Sequence, residues 1–288
     1  APQKTSWGLR RFRAPARWRI PVIDSHVHLN RQEFAGEVPA VLDRAAAAGV
    51  HGFLNVGYDL ETSRQSIALA EGDGRILATV GIHPHDAALV ADPDGKLTEA
   101  GAHALEELEE MAGHPRVVAI GEIGLDYYRD LSPRPAQATA MAEQLRLAER
   151  LGLPVVFHIR DAWAATLELI DQVQVPSAGG VLHSFSGDAG SVAWARERGM
   201  LLGIGGPVTY KNSQLPELVA AAGLDLLLLE TDAPWLPPVP YRGKRNESSY
   251  LQYTRDSVGL ALNLDPAEVD AVTTASFARL FAGEILEP

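Results

Sequence analysis

The feature that most limits the fold is a repeating alternation. Eight short runs rich in β-branched and aliphatic residues recur along the chain: "RIPVIDSHVH", "HGFLNVG", "RILATVGIHP", "RVVAIGEIGL", "PVVFHIR", "GGVLHSF", "MLLGIGG" and "DLLLLETD". Stretches with helical spacing separate them, among them "EVPAVLDRAAAAG", "LTEAGAHALEELEEMAG", "PAQATAMAEQLRLAERLG" and "AGSVAWARERG". Several of these close on glycine, the residue best suited to the position just past a helix end. Strands that alternate with helices pair in parallel. Nearly continuous apolar runs mean that both faces of each strand are covered. Eight such units in about 265 residues predict a TIM (β/α)8 barrel. A doubly wound open sheet shares the alternation, but no glycine-rich phosphate fingerprint follows the first run. "APWLPPVPYRGKRNESSY", after the eighth run, reads as a long loop on the rim, with a C-terminal helix expected from about Pro266 to Ala282. No linker divides residues 20–288, which read as a single barrel domain behind a basic arm at 1–19.

Composition narrows the chemistry. The chain has no cysteine, so a metal must be held by imidazole and carboxylate. The formal net charge is −12, yet the first twenty residues carry Lys4, Arg10, Arg11, Arg13, Arg17 and Arg19 and no acid, leaving −18 for the remainder. An acidic body argues against a broad nucleic-acid-binding face, allows a local one and suits cation binding. The arm lacks the apolar segment that a twin-arginine signal needs and the serine content of a transit peptide. It reads as an extension packed on the barrel or, with Trp7, Phe12 and Trp18 between its arginines, as a contact for phosphates. No apolar run reaches the ~20 residues that a membrane span requires.

The ends of the strands carry the signal. "IDSHVH" ends the first run with His26 and His28, two apart and therefore on one face of a strand. The third run ends at His83, with His85 just beyond, the fourth holds Glu122, the fifth His158, the sixth His183 and the eighth Asp232. Six of the nine histidines thus fall at or just after strand C-termini, the rim where a TIM barrel builds its active site from several strands. Each of these residues alone has a plain structural explanation: a packed core histidine, or in Asp232 a helix cap. Glu122 is harder to explain that way, because an unpaired buried carboxylate costs several kcal/mol, roughly. His51, His103 and His114 lie at a strand start or on helices and read as structural or surface residues.

Four imidazoles and two carboxylates exceed what one catalytic ion needs. They suit two divalent cations (Mg2+, Mn2+ or Zn2+) about 3.5–4 Å apart. Glu122 is the expected bridge. His26, His28 and Asp232 would hold one ion, since strands 1 and 8 adjoin in a closed barrel, and His158 and His183 the other.

"IDSHVHLN", "GIHPH", "GEIGLDYY", "FHIRDA", "LHSFSG", "ETDAPWLPP" and "RGKRNE" together resemble the TatD-type deoxyribonucleases of the amidohydrolase superfamily, in consistent order from Ile20 to Ala282. The resemblance implies a cytoplasmic divalent-metal-dependent nuclease, often a 3′–5′ exonuclease on single-stranded DNA or RNA. It implies the same six ligands and suggests that His83 contacts the scissile phosphate. Single-stranded DNA is the expected partner and a monomer without membrane association the expected state. Two departures stand out: Ser248 where the family commonly has proline, and a longer basic start.

The expected mechanism is in-line attack on phosphorus by a hydroxide that the two metals generate near neutral pH, with Asp232 orienting it and accepting its proton. Arg160, Arg242, Lys244 and Arg245 are candidates for the phosphoryl oxygens, although the "YRGKRN" loop reads equally as a solvated turn. Trp235 or Tyr127 could stack on a base, with rim packing favoured for Tyr127. Asp126 could orient a histidine or equally be a plain loop aspartate, and Asp24 could orient one from lower in the barrel or simply pack there. One rival keeps the site and changes the bond, to the ester of a mischarged aminoacyl-tRNA. Another makes the metal structural and the arm a nucleic-acid binder, against which six ligands on an open rim speak.

Overall fold

In the computed structural model, which describes residues 22–282, eight strands form one parallel sheet in the order β1 to β8. They are β1 Val22–Val27, β2 Val50–Val56, β3 Ile76–Val80, β4 Val117–Asp126, β5 Val155–Arg160, β6 Gly180–Leu182, β7 Leu201–Ile204 and β8 Leu227–Leu229. A doubly wound sheet would reverse strand order part-way, and this one does not. Closure comes just past β8, where Ala233 bridges Val27 in parallel. The amide of His28 donates to Ala233 O at 2.9 Å, and the amide of Asp232 to His26 O at 2.9 Å. The last bonds that shut the barrel therefore run through the candidate ligands. The basic arm at 1–19 lies outside the described residues.

The helices are α1 Val38–Ala47, α2 Leu60–Gly72, α3 Glu99–Ala112, α4 Arg134–Leu151, α5 Trp163–Val173, α6 Ala189–Arg198, α7 Leu215–Ala222, α8 Leu251–Leu262 and α9 Pro266–Phe277. Local chemistry sets their ends. Asp59, Thr98, Asp188 and Asp265 accept backbone amides at the starts of α2, α3, α6 and α9, which satisfies donors that a helix leaves open. Gly152 ends α4 in the left-handed region. The expected C-terminal helix is present as α9, prolonged by a π turn over Ala278–Ala282. Ahead of it stands α8, a helix the sequence reading passes over.

One apolar cluster takes a residue from every strand, from Ile23 in β1 and Leu54 in β2 through to Leu228 in β8. A larger cluster also draws on every strand, but it includes helix residues such as Val41, Leu108 and Met141 and so lies between sheet and helices. Val156, Val181 and Leu228 of the smaller one lie two residues before His158, His183 and Glu230, on the inward face, so this cluster fills the interior. Most of its members sit near strand starts, and Phe277 and Phe281 pack onto them. The N-terminal end of the barrel is thereby plugged, and the C-terminal end is left for polar groups.

Candidate active site

At that end a buried carboxylate meets five imidazoles. Glu122 Oε1 lies 2.7 Å from His158 Nδ1, 3.6 Å from His183 Nε2 and 3.6 Å from His83 Nε2. Its Oε2 lies 3.5 Å from His26 Nε2 and 3.7 Å from His28 Nε2. Asp232 Oδ1 completes the group, 3.5 Å from His28 Nε2, 3.9 Å from His26 Nε2 and 4.0 Å from His183 Nε2. All six residues expected as ligands, and His83, therefore converge. Strand geometry explains the aim of Glu122: Glu122, Gly124 and Asp126 alternate along β4, on one face. Gly124 pairs with His158 of β5. A Cβ at Gly124 would collide with the His158 carbonyl oxygen, so only glycine lets the two strands approach there. Asp232 has φ 54, a left-handed backbone that aspartate tolerates better than most residues.

The proton positions sort the histidines. His28 Nδ1 lies 3.2 Å from the Val56 carbonyl oxygen, which only accepts, so Nδ1 carries the hydrogen and Nε2 presents a lone pair inward. Glu230 Oε1 stands 2.9 Å from His183 Nδ1, so Nε2 is the ring nitrogen turned toward the centre. His83 is reversed. Its Nδ1 accepts the His85 amide at 3.1 Å, so its Nε2 carries the hydrogen and points a donor at the same centre. Grouped by distance alone, His83, Glu122 and His158 could hold an ion, but that tautomer makes His83 a donor rather than a ligand. His26, His28 and Asp232 form a second such group, and His26, His183 and Glu230 a third.

The residues present fit a metal. His26 Nε2 and His28 Nε2 face each other at 3.0 Å. With the hydrogen of His28 on Nδ1, its Nε2 lone pair faces His26, Glu122 and Asp232 together, a donor set that a divalent cation would satisfy. Imidazole and carboxylate together suit divalent ions such as Zn2+ and Mn2+.

The charges agree with this reading. Burial alone would push Glu122 up, but His183, His158, His26 and His83 outweigh it and hold the carboxyl well below its ordinary range. Asp232 is likewise pushed up by burial and held down more strongly by His183 and His28. Burial lowers His183, yet Glu230, Glu122 and Asp232 together raise it to about 10. His83 is driven down to about 4, by burial first and by His158 second.

This last shift has a consequence for stability. His83 has an ordinary value of 6.5, so between pH 6.5 and about 4 the unfolded chain binds a proton that the folded chain excludes. Its contribution is intact above that window and is lost as pH falls through it, by about 3 kcal/mol. In chelator-treated protein, His83→Asn is expected to flatten the decline in melting temperature across the window. An unchanged slope would contradict the buried neutral state.

Around the centre, Asp126 accepts the amides of Tyr128 and Arg129 on Oδ1, at 2.9 and 2.8 Å. Its Oδ2 lies 2.7 Å from His85 Nε2 and 3.4 Å from His158 Nε2, a placement that fits the orienting alternative better than a plain loop aspartate. Asp24 acts on the backbone instead: it accepts the amides of His26 at 3.4 Å and Thr231 at 2.9 Å, and the hydroxyls of Thr231 and Ser248, each at 2.6 Å. Ser248, the departure from the family's proline, is buried and ties the rim loop to β1.

The proposed substrate contacts divide. Arg160 is exposed at the end of β5, with its guanidinium 4.0 Å from the Tyr128 ring centre. Arg242 lies over Tyr210 at 4.3 Å, and Lys244 is 6.0 Å from the Tyr241 ring centre. Arg245 is occupied: it reaches Glu37 at 3.1 Å and the Glu33 carbonyl at 2.6 Å. Trp235 meets the His28 ring edge-on at 5.0 Å. Tyr127 packs under Arg134 at 4.1 Å, in line with rim packing. Four residues join the site that the sequence reading does not single out: Glu230, Tyr128, Tyr58 (5.5 Å from His28, ring to ring) and Arg31, which bonds the Tyr58 hydroxyl at 3.0 Å and lies 5.2 Å from the Trp235 ring.

The sequence profile of the TatD related DNases matches residues 23–282. The chain belongs to the TatD family. Among its TatD relatives, YabD of Bacillus subtilis, named an uncharacterized metal-dependent hydrolase, is 35% identical over 261 residues, spanning 90% of this chain and 98% of that protein. TatD of Cronobacter sakazakii, named a 3'-5' ssDNA/RNA exonuclease, is 38% identical over 266 residues, spanning 90% and 97%. The crystal structure of YJJV, a TatD homolog from Escherichia coli K12, superposes with a TM-score of 0.83 at 30% identity, covering 92% of this chain and 99% of that one. Like its TatD relatives, this protein is a metal-dependent hydrolase. No helix among the described residues is long and apolar enough to cross a membrane.

Proposed function

We propose that this protein hydrolyses phosphodiester bonds of single-stranded DNA, and of RNA as a second substrate, from the 3′ end, with two divalent cations. The observation that carries the reading is the opposite tautomer of His83. His28 and His183 turn Nε2 toward Glu122 and Asp232, while His83 turns an N–H donor to the same point. A phosphoryl group needs both: ligands that hold cations and a donor for its own oxygen. The name of the Cronobacter relative supports the nuclease assignment and its polarity.

His26, His28 and Asp232 would hold one cation and His158 and His183 the other, with Glu122 shared between them. When bound, divalent cations at such a site acidify water and offset charge on the phosphoryl oxygens. The chain's own residues do the rest. His83 Nε2–H donates to a non-bridging phosphate oxygen and stays neutral while doing so. Asp232 accepts the proton of the attacking water as the new P–O bond forms and the bond to the sugar oxygen breaks, and that oxygen leaves with the electron pair and takes a proton from solvent. Glu230 holds His183, and Asp126 holds His158, so that neither ring turns as charge develops. Arg160, Arg242 and Lys244 carry no acidic partner among the described residues and are free to meet flanking phosphates. Trp235 offers its ring to a base.

A 5′-labelled single strand incubated with Mg2+ or Mn2+ is expected to yield a ladder shortened from the 3′ end, and chelator is expected to abolish it. Cleavage that survives chelation, or faster turnover of an aminoacyl ester than of any phosphodiester, would defeat the proposal.

A further inference from the structure

Two arginine–aromatic pairs stand on opposite walls of the mouth. One is Arg31 with Trp235, on the β1–β8 side above His28. The other is Arg160 with Tyr128, on the β4–β5 side. In an eight-stranded barrel of sequential order those two seams face each other across the axis.

The second pair is built into the site. Arg160 lies two residues beyond His158 on β5, on the same face, and its register partner across the sheet is Asp126. Asp126 Oδ1 accepts the Tyr128 amide while its Oδ2 faces His158. One carboxylate therefore fixes both a candidate ligand and the backbone of the aromatic residue. Tyr128 is nevertheless 60% exposed and Trp235 40%. Large aromatic rings normally bury most of their area, and here two of them, each backed by a guanidinium, are left open on either side of the same centre. The body of the protein is strongly acidic, yet Arg160 has no acidic partner among the described residues.

We propose that Tyr128 and Arg160 form a second nucleotide subsite, in which the ring stacks on an unpaired base and the guanidinium meets the adjoining phosphate. The subsite rests on the phosphodiesterase reading above and deepens it. With Trp235 receiving the base on one side of the scissile phosphate, Tyr128 receives the base on the other. Stacking tolerates any base, because each presents a π face, but it requires a face free of duplex neighbours. The enzyme thus selects unpaired ends without reading sequence.

The test uses the full-length, Mn2+-loaded protein and three oligothymidylate strands: one intact, one lacking the terminal 3′ base and one lacking the next base. Tyr128→Ala is expected to raise KM for the intact strand on the order of ten-fold with kcat little changed, and Tyr128→Trp to restore it. One of the two abasic strands is expected to show a raised KM with the parent protein and no further rise with Tyr128→Ala. Equal effects of Tyr128→Ala on all three strands, or none on any, would overturn the subsite while leaving the nuclease assignment intact. Failure of the parent protein to cleave any strand would overturn both.

Discussion

Replacing Glu122 with glutamine is expected to lower phosphodiester hydrolysis on the order of 10²–10³-fold, the range for removing one preorganised electrostatic group, and to reduce the bound metal per chain. The two effects share a cause. Glutamine keeps the volume, so the cluster stays packed, but it removes the one charge that faces five imidazoles at 2.7 to 3.7 Å. It also puts an amide donor where one of two acceptor oxygens stood. Without cations the same change exposes the histidines. His183 is raised to about 10 partly by Glu122, and removing one partner of a buried charge pair typically costs about 3–5 kcal/mol. Elemental analysis, melting curves in chelator and single-strand cleavage read the three consequences separately. A Glu122→Gln protein that keeps its full metal content and its rate would exclude Glu122 as the shared ligand.

What the sequence makes legible here is set by how far apart in the chain the cooperating residues lie. His26 and His28 are readable because strand geometry alone puts residues two apart on one face. Glu122, His158, His183 and Asp232 are readable because a barrel sends every strand end to one rim. Glu230 escapes this logic. It sits inside the run "LLLLETD" and looks like the polar close of a strand, and its role exists only because His183 arrives from β6. Arg245 shows the converse. Within "YRGKRN" it reads as one more cation for phosphate, but its charge is held by Glu37, 208 residues away in sequence. Tyr128 stands beside Tyr127 with nothing in the sequence to rank them, and only packing separates the ring under Arg134 from the exposed ring beside Arg160.

Helix α8 is missed for a local reason. Its twelve residues include Thr254, Ser257 and Gly259, which weaken the helical signal. Gly259 is there because the Leu264 carbonyl oxygen would lie only 3.0 Å from a Cβ, so the turn from α8 into α9 selects against a good helix former. Ser248 is the reverse case, a departure in sequence that the fold explains. A proline there would lack the hydroxyl that reaches Asp24 at 2.6 Å. That bond links the rim loop to the same carboxylate that holds the His26 amide and Thr231.

Asp232→Asn is expected to lower kcat by about 10²–10⁴-fold, the contribution typical of a positioned general base, with a smaller change in KM. Asparagine is the informative substitution because of the backbone. At φ 54 a residue sits in the left-handed region, which aspartate and asparagine tolerate where most side chains are strained. The exchange therefore keeps the Asp232 amide on His26 O and the barrel's closing bonds, whereas Asp232→Ala confounds lost charge with altered backbone. Under the proposed function the residue has two separable duties. As a neighbour of His26 and His28 it contributes to cation affinity, and that deficit is corrected by raising the Mn2+ concentration. As an acceptor of the water's proton it contributes to the chemical step, and no concentration of Mn2+ replaces it. Its pKa lies below the ordinary carboxylate value despite burial, because His183 and His28 outweigh the burial penalty, so the carboxylate is ionised through the neutral range. The rate of Asp232→Asn at saturating Mn2+ decides between the duties. A persistent deficit assigns proton acceptance to Asp232, and full recovery would reduce it to a ligand.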